Sequence, residues 1–401
     1  MMTFIKILFF LVTGYYFFCA LYVLIYSVAG LFYKSPVFKK ATTFRKIAIF
    51  VPAYKADKVI EELIHNVLLQ DYPHYDLIII ADSIADNVVN RLKQMPVKVM
   101  EFSDDNRTKA LALNTIMAQL PDDYYDIALI LDSDNLIKNK DYLHRLNEAF
   151  DSGLRVVQTH RTAKNINTPL ALLDAISEEI NNTLFRRGHV TVGLSSSLIG
   201  SAMAFDYALY KNHMKHISSS GEDKELEMHL LSDRIHIEYL DDLVVLDEKT
   251  QHANAFVTQR ARWIANQIMQ ARSNIDKGFI HLFQGNFDFF DKVMQHFLLP
   301  RIFLLASVFV FTVLAMIFLY GTYLYMWLII AVVVFCSILL SIPKRMYTFR
   351  LLKVILYLPK AVILMSLSLF KIKGATKKFV ATEHATVPYD ALITETDENR
   401  N

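Results

Sequence analysis

The chain has 401 residues and a formal net charge of +2, and 53% of its residues are hydrophobic, including 28 Phe and 20 Tyr. This hydrophobic share exceeds that of ordinary soluble domains, and the near-neutral charge gives no indication of a nucleic-acid partner. Both cysteines, Cys19 and Cys336, lie in apolar runs, so the sequence excludes a disulfide framework and a cysteine-ligated metal site.

Residues 1–44 are predicted to form a transmembrane anchor followed by a basic linker. No charged residue occurs between Lys6 and Lys34. This run is longer than the roughly 20 residues that a helix needs to cross a bilayer, and too long for a cleavable signal peptide. Lys and Arg residues cluster between positions 34 and 46, and such clusters stay in the cytosol. We therefore expect a multi-pass protein of the inner (plasma) membrane whose next domain faces the cytosol.

Residues 45–285 alternate between apolar strands and amphipathic helices, which predicts an α/β domain with a mostly parallel sheet covered on both faces. Strands are expected at 46–54, 75–82, 97–102 and 126–135. Ligands of such sheets bind at the carboxyl ends of the strands. Tyr54, Asp82 and the pair Asp132 and Asp134 follow three of these strands. No Gly-rich loop follows any of them, which argues against a dinucleotide-binding or P-loop domain.

Asp132 and Asp134 form an Asp-x-Asp sequence. Two carboxylates this close repel each other unless a cation lies between them, and hard oxygen ligands suit Mg²⁺ or Mn²⁺ carried by a diphosphate. A solvated turn explains the same pattern when it is taken alone.

Two further motifs are each ambiguous alone. Glu222 and Asp223 open a predicted helix, where acids commonly act as caps, although one carboxylate could be a general base. In the sequence QRARW, Gln259 and Trp263 share a helix face beside Arg262, which provides a stacking surface for a sugar and donors for a phosphate. A helix at a membrane surface would also place Trp and Arg in this way.

The order of the motifs VPAY, ADS, KALALN, LDSDN, GSAMAF, GED and QRARW, followed by apolar helices, resembles the processive family 2 glycosyltransferases, which include cellulose, chitin and hyaluronan synthases. The resemblance covers roughly residues 45–270. It implies a GT-A fold, in which a Rossmann-like nucleotide-sugar domain is inserted between transmembrane helices. It also implies inverting, metal-dependent transfer from a nucleotide-sugar, mostly a UDP-sugar, to a growing β-linked glycan.

The resemblance also implies a role for each matching residue. Nucleotide-sugar contacts would come from Pro52, Tyr54, Asp82, Lys109, Asp132, Gln259 and Arg262. Acceptor contacts would come from Gly200, Ser201 and Trp263. Asp223 would be the general base with Glu222 beside it, and Asp134, with Asp132, would hold Mg²⁺ or Mn²⁺. Two departures from the family pattern are Gly221, where Thr often precedes Glu-Asp, and Arg107–Thr108, where Gly usually precedes KALALN.

The C-terminal part divides into three segments. Residues 286–300 are predicted to form an amphipathic helix on the membrane surface. Within 301–371, Ile302–Tyr320 and Tyr323–Ile342 form a predicted transmembrane hairpin, whereas Val354–Phe370, with its Pro359, is expected to be re-entrant or interfacial rather than to cross. Residues 372–401 are expected to be a basic segment and a disordered acidic tail. FVATEH at 379–384 is similar to the gating loop of cellulose synthases.

The sequence leaves the acceptor open. The chain either extends a glycan processively, or adds one or a few sugars to a lipid-linked acceptor. Three clear spans are few for one protomer to enclose a channel, so secretion of a polymer would need the re-entrant segment, a homo-oligomer or an export partner. Membrane lipid is a further expected partner. A hypothesis from another class is a membrane transport or scaffold protein whose α/β domain only senses a nucleotide.

Overall fold

The computed structural model describes residues 2–104, 108–217 and 219–374. Arg107, FVATEH and the predicted acidic tail lie outside the described residues. Between the N-terminal and C-terminal apolar helices, strands and helices alternate around one sheet, as the sequence predicts for residues 45–285.

One sheet of eight strands, in the order β3-β2-β1-β4-β7-β6-β8-β5, organises the described part of the central domain. Its strands are β1 (Ile47–Tyr54), β2 (Tyr75–Asp82), β3 (Lys98–Phe102), β4 (Ile127–Ile130), β5 (Leu136–Ile137), β6 (Val156–Ala163), β7 (Met203–Asp206) and β8 (Glu238–Asp247).

The sheet is mixed, and six of its eight strands point in one direction. β3, β2, β1 and β4 are mutually parallel. β7 runs antiparallel to both β4 and β6, β6 is parallel to β8, and β5 is antiparallel to β8. The expectation of a mostly parallel sheet therefore fits roughly, with β7 and β5 as the exceptions. Hydropathy marks a segment as a strand, but the direction of its partner depends on residues far away in the chain.

The helices around the sheet begin and end close to the apolar periodic segments of the sequence. They are α2 (Ile60–Val67), α3 (Asp86–Leu92), α4 (Lys109–Ala118), α5 (Tyr142–Asp151), α6 (Pro169–Asn182), α7 (His189–Thr191), α8 (Tyr207–Met214), α9 (Glu222–Ser232), α10 (Ala253–Phe283) and α11 (Phe287–His296). A π-helical segment, Thr183–Gly188, joins α6 to α7.

β1 shows why the sheet is covered on both faces. Successive side chains of a strand point to opposite faces. Ile47, Ile49 and Val51 pack in the apolar core formed with α2, α3 and α5. Ala48 and Phe50 pack in the opposite core, formed with α4, α8 and α9. An uninterrupted apolar run is thus required, because both faces of the strand are buried.

Four described helices are long and apolar enough to cross a membrane. They comprise the helix that opens the chain and three near its C-terminal end, namely α1 (Met2–Leu31), α12 (Arg301–Phe318), α13 (Thr322–Ser341) and α14 (Phe349–Phe370). α12 and α13 form the predicted hairpin. α14 is one continuous helix that contains Pro359.

α1 is fixed to the central domain by polar contacts as well as by packing. The Tyr22 hydroxyl donates a hydrogen bond to Asp291 Oδ2 at 3.2 Å, and the Tyr26 hydroxyl donates to Asp291 Oδ1 at 2.5 Å. Asp291 belongs to α11, the predicted amphipathic helix. The end of α1 therefore holds α11 beside the sheet domain.

Candidate active site

A cavity of about 530 Å³ lies at the carboxyl ends of β1, β2 and β4 and extends to α10, α12 and α14. It brings together residues from motifs separated by as many as two hundred positions. All predicted site residues except Ser201 line it: Pro52, Tyr54, Asp82, Lys109, Asp132, Asp134, Gly200, Glu222, Asp223, Gln259, Arg262 and Trp263.

Tyr54 and Asp82 mark one end of the cavity. They are register partners in the parallel pairing of β1 with β2, so both strands deliver a polar side chain at the same level. The following residues, Lys55 and Ser83, have φ angles of 52° and 56°, and the chain turns away from the sheet there. Ser83 Oγ donates to Asp82 Oδ1 at 2.9 Å, which orients the buried carboxylate.

Asn135 shapes the Asp-x-Asp loop after β4. Its Oδ1 accepts a hydrogen bond from the Asp132 amide at 3.0 Å, and its side-chain amide donates to Asp134 Oδ1 at 3.3 Å. The same amide donates to Asp247 Oδ1 at 3.1 Å, which ties the loop to the end of β8. The Glu248 amide donates to Asp134 Oδ2 at 3.2 Å. The alternative explanation, a solvated turn, does not fit this largely buried and hydrogen-bonded loop.

Lys109 is the centre of charge in the cavity. Its ammonium lies 2.5 Å from Asp132 Oδ1 and 3.9 Å from Glu222 Oε1, and it donates to the Gly200 carbonyl at 2.7 Å. Burial opposes the ionisation of Asp132, but Lys109 and then Arg161 outweigh it and hold the pKa of Asp132 below its usual value. Asp132 is therefore a carboxylate across the neutral pH range.

The donor set fits a divalent cation only if a ligand completes the coordination. Among the described residues, no group of three or more His, Cys, Asp or Glu side chains could hold a metal ion by itself. Asp132 and Asp134 nevertheless supply hard oxygen donors in the cavity. Mg²⁺ is commonly held by one or two carboxylates together with substrate phosphates and water. The pair matches that mode of binding.

Gly200 faces the acids of α9. Its φ angle is +84°, and a Cβ built on it would lie 3.8 Å from Asp223 Oδ2 and 3.9 Å from Glu222 Oε1. The absence of a side chain leaves the space in front of both carboxyl groups open. Burial, opposed by Lys109 and reinforced by Asp223, raises the pKa of Glu222 to about 7. The two neighbouring acids thus have different environments.

Ser201 is fully buried and does not line the cavity. Its hydroxyl oxygen accepts a hydrogen bond from Arg161 Nη1 at 3.1 Å, and its hydroxyl also interacts with Asp132. The structure does not favour the expected contact with an acceptor, because Ser201 lies behind the wall. Gly200 alone of this pair faces the open space.

Trp263 lies on α10 with Gln259 and Arg262, and all three line the cavity. Arg260 is the member of QRARW whose role the sequence did not indicate. Its guanidinium carbon lies 4.0 Å from the Trp263 ring centroid, and the side chain forms an ion pair with Asp174 of α6. Arg260 therefore supports the Trp263 ring and fixes α10 against α6.

A second group of charged residues escaped the sequence analysis. Arg161 on β6 donates to Glu178 Oε1 at 2.8 Å, and Lys249 pairs with Glu178 and, at 2.7 Å, with Asp247. These residues line the cavity between the Asp-x-Asp loop and α6. The sequence signal is the run QTHRT within a buried strand, because buried polar side chains require partners.

Residues 45–266 match the family model described as glycosyltransferase like family 2. This match covers more than half of the chain. The chain belongs to glycosyltransferase family 2. The family match supports the expected α/β domain of the GT-A type. A search of curated proteins gives no match for this glycosyltransferase.

Several solved glycosyltransferase structures resemble this family 2 chain weakly. Mannosyltransferase PcManGT from Pyrobaculum calidifontis, in complex with GDP-Man and Mn²⁺, has 16% identity and a TM-score of 0.49, covering 83% of this chain and 97% of that chain. Glucosyl-3-phosphoglycerate synthase from Mycobacterium tuberculosis, with Mn²⁺, UDP and product, has 18% identity and a TM-score of 0.37, covering 53% and 75%. S. aureus TarS with UDP has 19% identity and a TM-score of 0.37, covering 55% and 64%.

One departure of this glycosyltransferase from the family pattern has a steric reason. Gly221 stands where Thr often precedes the Glu-Asp pair. A Cβ on Gly221 would lie 2.5 Å from Asn266 Nδ2 and 2.8 Å from Asn266 Cγ. The start of α9 therefore approaches α10 so closely that a larger residue would displace Asn266. This contact brings the acids of α9 beside the QRARW segment.

Proposed function

We propose that this family 2 glycosyltransferase transfers a sugar, with inversion, from a nucleotide-sugar to an acceptor at the membrane. The observation that carries the proposal is the single cavity that joins Tyr54, Asp82 and Asp134 to Asp223 and Trp263. Donor, base and acceptor can thus share one enclosed space, which in-line displacement requires.

In this proposal the nucleotide lies at the strand ends of β1 and β2, and its diphosphate lies near the Asp-x-Asp loop. Asp134, with Asp132, would hold Mg²⁺ or Mn²⁺, which would offset negative charge on the diphosphate. Arg262 provides a further cation, and Lys109 holds Asp132 in place. These groups lower the energy of the departing diphosphate.

Asp223 is the proposed general base. One of its carboxylate oxygens takes the proton of the acceptor hydroxyl while that hydroxyl oxygen bonds to the anomeric carbon. The bond from the anomeric carbon to the diphosphate oxygen breaks on the opposite face, and its electrons leave with the diphosphate. Trp263 would stack against the acceptor sugar beside Gln259. The acceptor is a growing β-linked glycan, or a lipid-linked acceptor that receives one or a few sugars.

The test uses the full chain in nanodiscs with a panel of UDP- and GDP-sugars and either Mg²⁺ or Mn²⁺. Nucleoside diphosphate release and product length are measured. Release with one sugar and a long product supports a processive synthase, and a short product supports limited transfer. Nucleotide binding without release from any sugar would contradict transfer and favour a nucleotide-sensing protein.

Removal of the metal gives a second test of the same proposal. EDTA is expected to stop transfer, and readdition of Mn²⁺ is expected to restore it. Asp134→Ala should weaken metal-dependent nucleotide binding, because the cation loses a hard ligand. Asp276→Ala, which changes an exposed acid on α10, is the matched control. Full activity in the presence of EDTA would remove the metal from the proposal.

A further inference from the structure

Two arginines lie in the part of the cavity that meets the membrane helices. Arg186 belongs to the π-helical segment Thr183–Gly188 and is among the largest fully buried side chains. Arg301 is the first residue of α12, and it also lines the cavity. Short π-helical segments occur frequently at functional sites. The steps proposed for glycosyl transfer use neither arginine.

Among the residues that the structure describes, both arginines have only neutral hydrogen-bond partners. Arg186 donates to Asn182 Oδ1 at 2.5 Å and to the Ser197 carbonyl at 3.3 Å. Arg301 donates to the Ser177 carbonyl and hydroxyl, both at 2.7 Å, and to Asn181. Within residues 2–104, 108–217 and 219–374, neither guanidinium has a carboxylate oxygen within 4.0 Å. Arg161 and Arg260, which line the same cavity, are instead paired with acids.

The nearby acids already form ion pairs with other cationic side chains. Glu178 pairs with Arg161 and Lys249, and Glu227 pairs with Lys224 and Lys292. Burial consequently lowers the pKa of Arg186, although Tyr239 and Glu178 act in the opposite direction. The positive charges of Arg260 and Arg186 repel the positive charge of Arg301. A buried cation without a counterion is costly, so this arrangement favours an anionic ligand.

An apolar groove of about 350 Å³ adjoins this end of the cavity, between α1 and α12. Its wall is almost entirely apolar, with contributions from Tyr16, Phe303, Val310 and Phe311. Leu299, two residues before Arg301, lines both the groove and the cavity, so the two spaces lie next to each other. A ligand that occupies both spaces needs an anionic head and a hydrocarbon chain.

We propose that Arg186 and Arg301 bind the phosphate group of a lipid-linked acceptor whose hydrocarbon chain lies in the apolar groove. This inference rests on the proposed glycosyl transfer and identifies the class of its acceptor. Two guanidinium groups match a phosphate in charge and can donate several hydrogen bonds to its oxygens. The sugar end of the acceptor, or its hydroxyl, then points along the cavity toward Asp223.

The test measures binding of farnesyl phosphate, farnesol and inorganic phosphate to the full chain in phosphatidylcholine nanodiscs by native mass spectrometry. Farnesyl phosphate is expected to bind more tightly than either farnesol or inorganic phosphate, because it fills both spaces. Equal binding of farnesol would overturn the phosphate site. If inorganic phosphate bound as tightly as farnesyl phosphate, the site would bind free phosphate, and the assignment of a lipid-linked ligand would be wrong.

Variants locate the site. Arg301→Gln is expected to weaken farnesyl phosphate binding by about 10- to 100-fold, the usual effect of losing hydrogen bonds to a charged group. Arg301→Lys keeps the positive charge but loses the planar guanidinium. Its affinity for farnesyl phosphate should lie between that of Arg301→Gln and that of the native chain. Arg272→Gln, an exposed change on α10, should bind as the native chain does. Equal affinity of Arg301→Gln and Arg272→Gln would refute the assignment.

Nucleotide binding in the presence of Mn²⁺ separates this inference from the proposed function. Arg301→Gln should keep that binding, which also shows that the variant folds. Farnesyl phosphate binding without any sugar transfer would count against the proposed function alone. Sugar transfer without selective farnesyl phosphate binding would count against the phosphate site alone.

Discussion

Glu222 and Asp223 are adjacent in sequence, but their carboxyl groups have different surroundings. Glu222 is buried near Lys109, whereas Asp223 is only partly buried and faces the space in front of Gly200. A proton acceptor must reach its substrate, which favours Asp223 as the base. Glu222, with its raised pKa, holds a proton more readily and sets the local charge. The two adjacent carboxyl groups are thus distinguished by their burial and by their distance from Lys109.

Asp223→Asn is expected to reduce the rate of transfer by about 10²- to 10⁴-fold, the range that a general base typically contributes. Nucleotide affinity should remain, because the proposed nucleotide contacts lie at β1, β2 and the Asp-x-Asp loop. Steady-state turnover and UDP titration measure the two effects. Asp276→Asn on the exposed side of α10 is the control. Turnover like that of the native chain would remove Asp223 from the mechanism.

Glu222 makes the stability of the fold depend on pH. Its pKa rises from 4.5 in the unfolded chain to about 7 in the folded chain, so the folded state binds the proton more tightly. The resulting stabilisation is present below pH 4.5 and is lost as the pH rises through 7. A pKa shift of this size corresponds to about 3 kcal/mol of stability at most.

Glu222→Gln removes this ionisation. We compare the Tm of Glu222→Gln with that of the native chain at each pH. The difference, variant minus native, should increase between pH 5 and pH 8, because only the native chain loses the stabilisation that comes from protonated Glu222. Differential scanning fluorimetry in detergent measures it. Glu101→Gln, at an exposed position of β3, provides the comparison. A difference that stays constant with pH would show that Glu222 titrates normally.

At the scale of elements, the contact between α1 and the π-helical segment joins α1, a candidate membrane span, to the sheet domain. A Cβ on Gly188 would lie 2.3 Å from the Tyr26 carbonyl oxygen, and one on Gly30 would lie 2.8 Å from the Thr183 carbonyl oxygen. Each glycine thus meets the backbone of the other segment. Small residues permit such close approach between helices, and this approach also holds Arg186 in place.

Gly188→Ala is expected to destabilise the protein by about 1–3 kcal/mol, because backbone atoms cannot move aside as a flexible side chain can. The Tm of the purified protein measures this loss. Gly14→Ala is the control. Gly14 lies on α1, the helix that Gly188 contacts, at a position where a Cβ would meet nothing within 4 Å. It should leave the Tm unchanged or raise it, since Ala favours helix more than Gly does. Equal effects of both changes would show that the close contact is unimportant.

At the scale of the whole molecule, the orientation of α14 decides how the cavity is closed. Its length and hydropathy permit a membrane crossing. However, Leu364 and Met365 pack against Leu170 of α6 and Phe256 of α10, and Met365 lines the cavity. These contacts attach the C-terminal half of α14 to the sheet domain, where α14 covers one end of the cavity. The re-entrant or interfacial position of α14 stays a prediction.

Cysteine labelling tests this orientation. In a Cys336→Ser background, an impermeant maleimide added to intact cells should label Tyr320→Cys between α12 and α13. It should label neither Phe349→Cys nor Phe370→Cys, the two exposed ends of α14, until the membrane is permeabilised. Permeabilisation is the control that each site is reactive. Labelling of Phe370→Cys in intact cells would establish a crossing.

The sequence by itself determined the strands β1 to β4, the apolar helices and nearly every motif residue that lines the cavity. Hydropathy and its period are local properties, so β1, β2, α1 and the α12–α13 hairpin follow from short stretches of chain. Tyr54, Asp82 and Asp134 could also be predicted as site residues, because the carboxyl ends of parallel strands meet at one edge of the sheet.

Only the tertiary structure decided the direction of β7, the unbroken course of α14 and the position of Ser201 behind the cavity wall. It also brought Asn135 to Asp247, Arg161 to Glu178, and Arg186 into one wall with Arg301. These pairings join residues far apart in the chain, and no local pattern carries the direction or distance of a remote partner. The energy of a buried charge depends on such partners, so the chemistry of this cavity emerges only when the chain has folded.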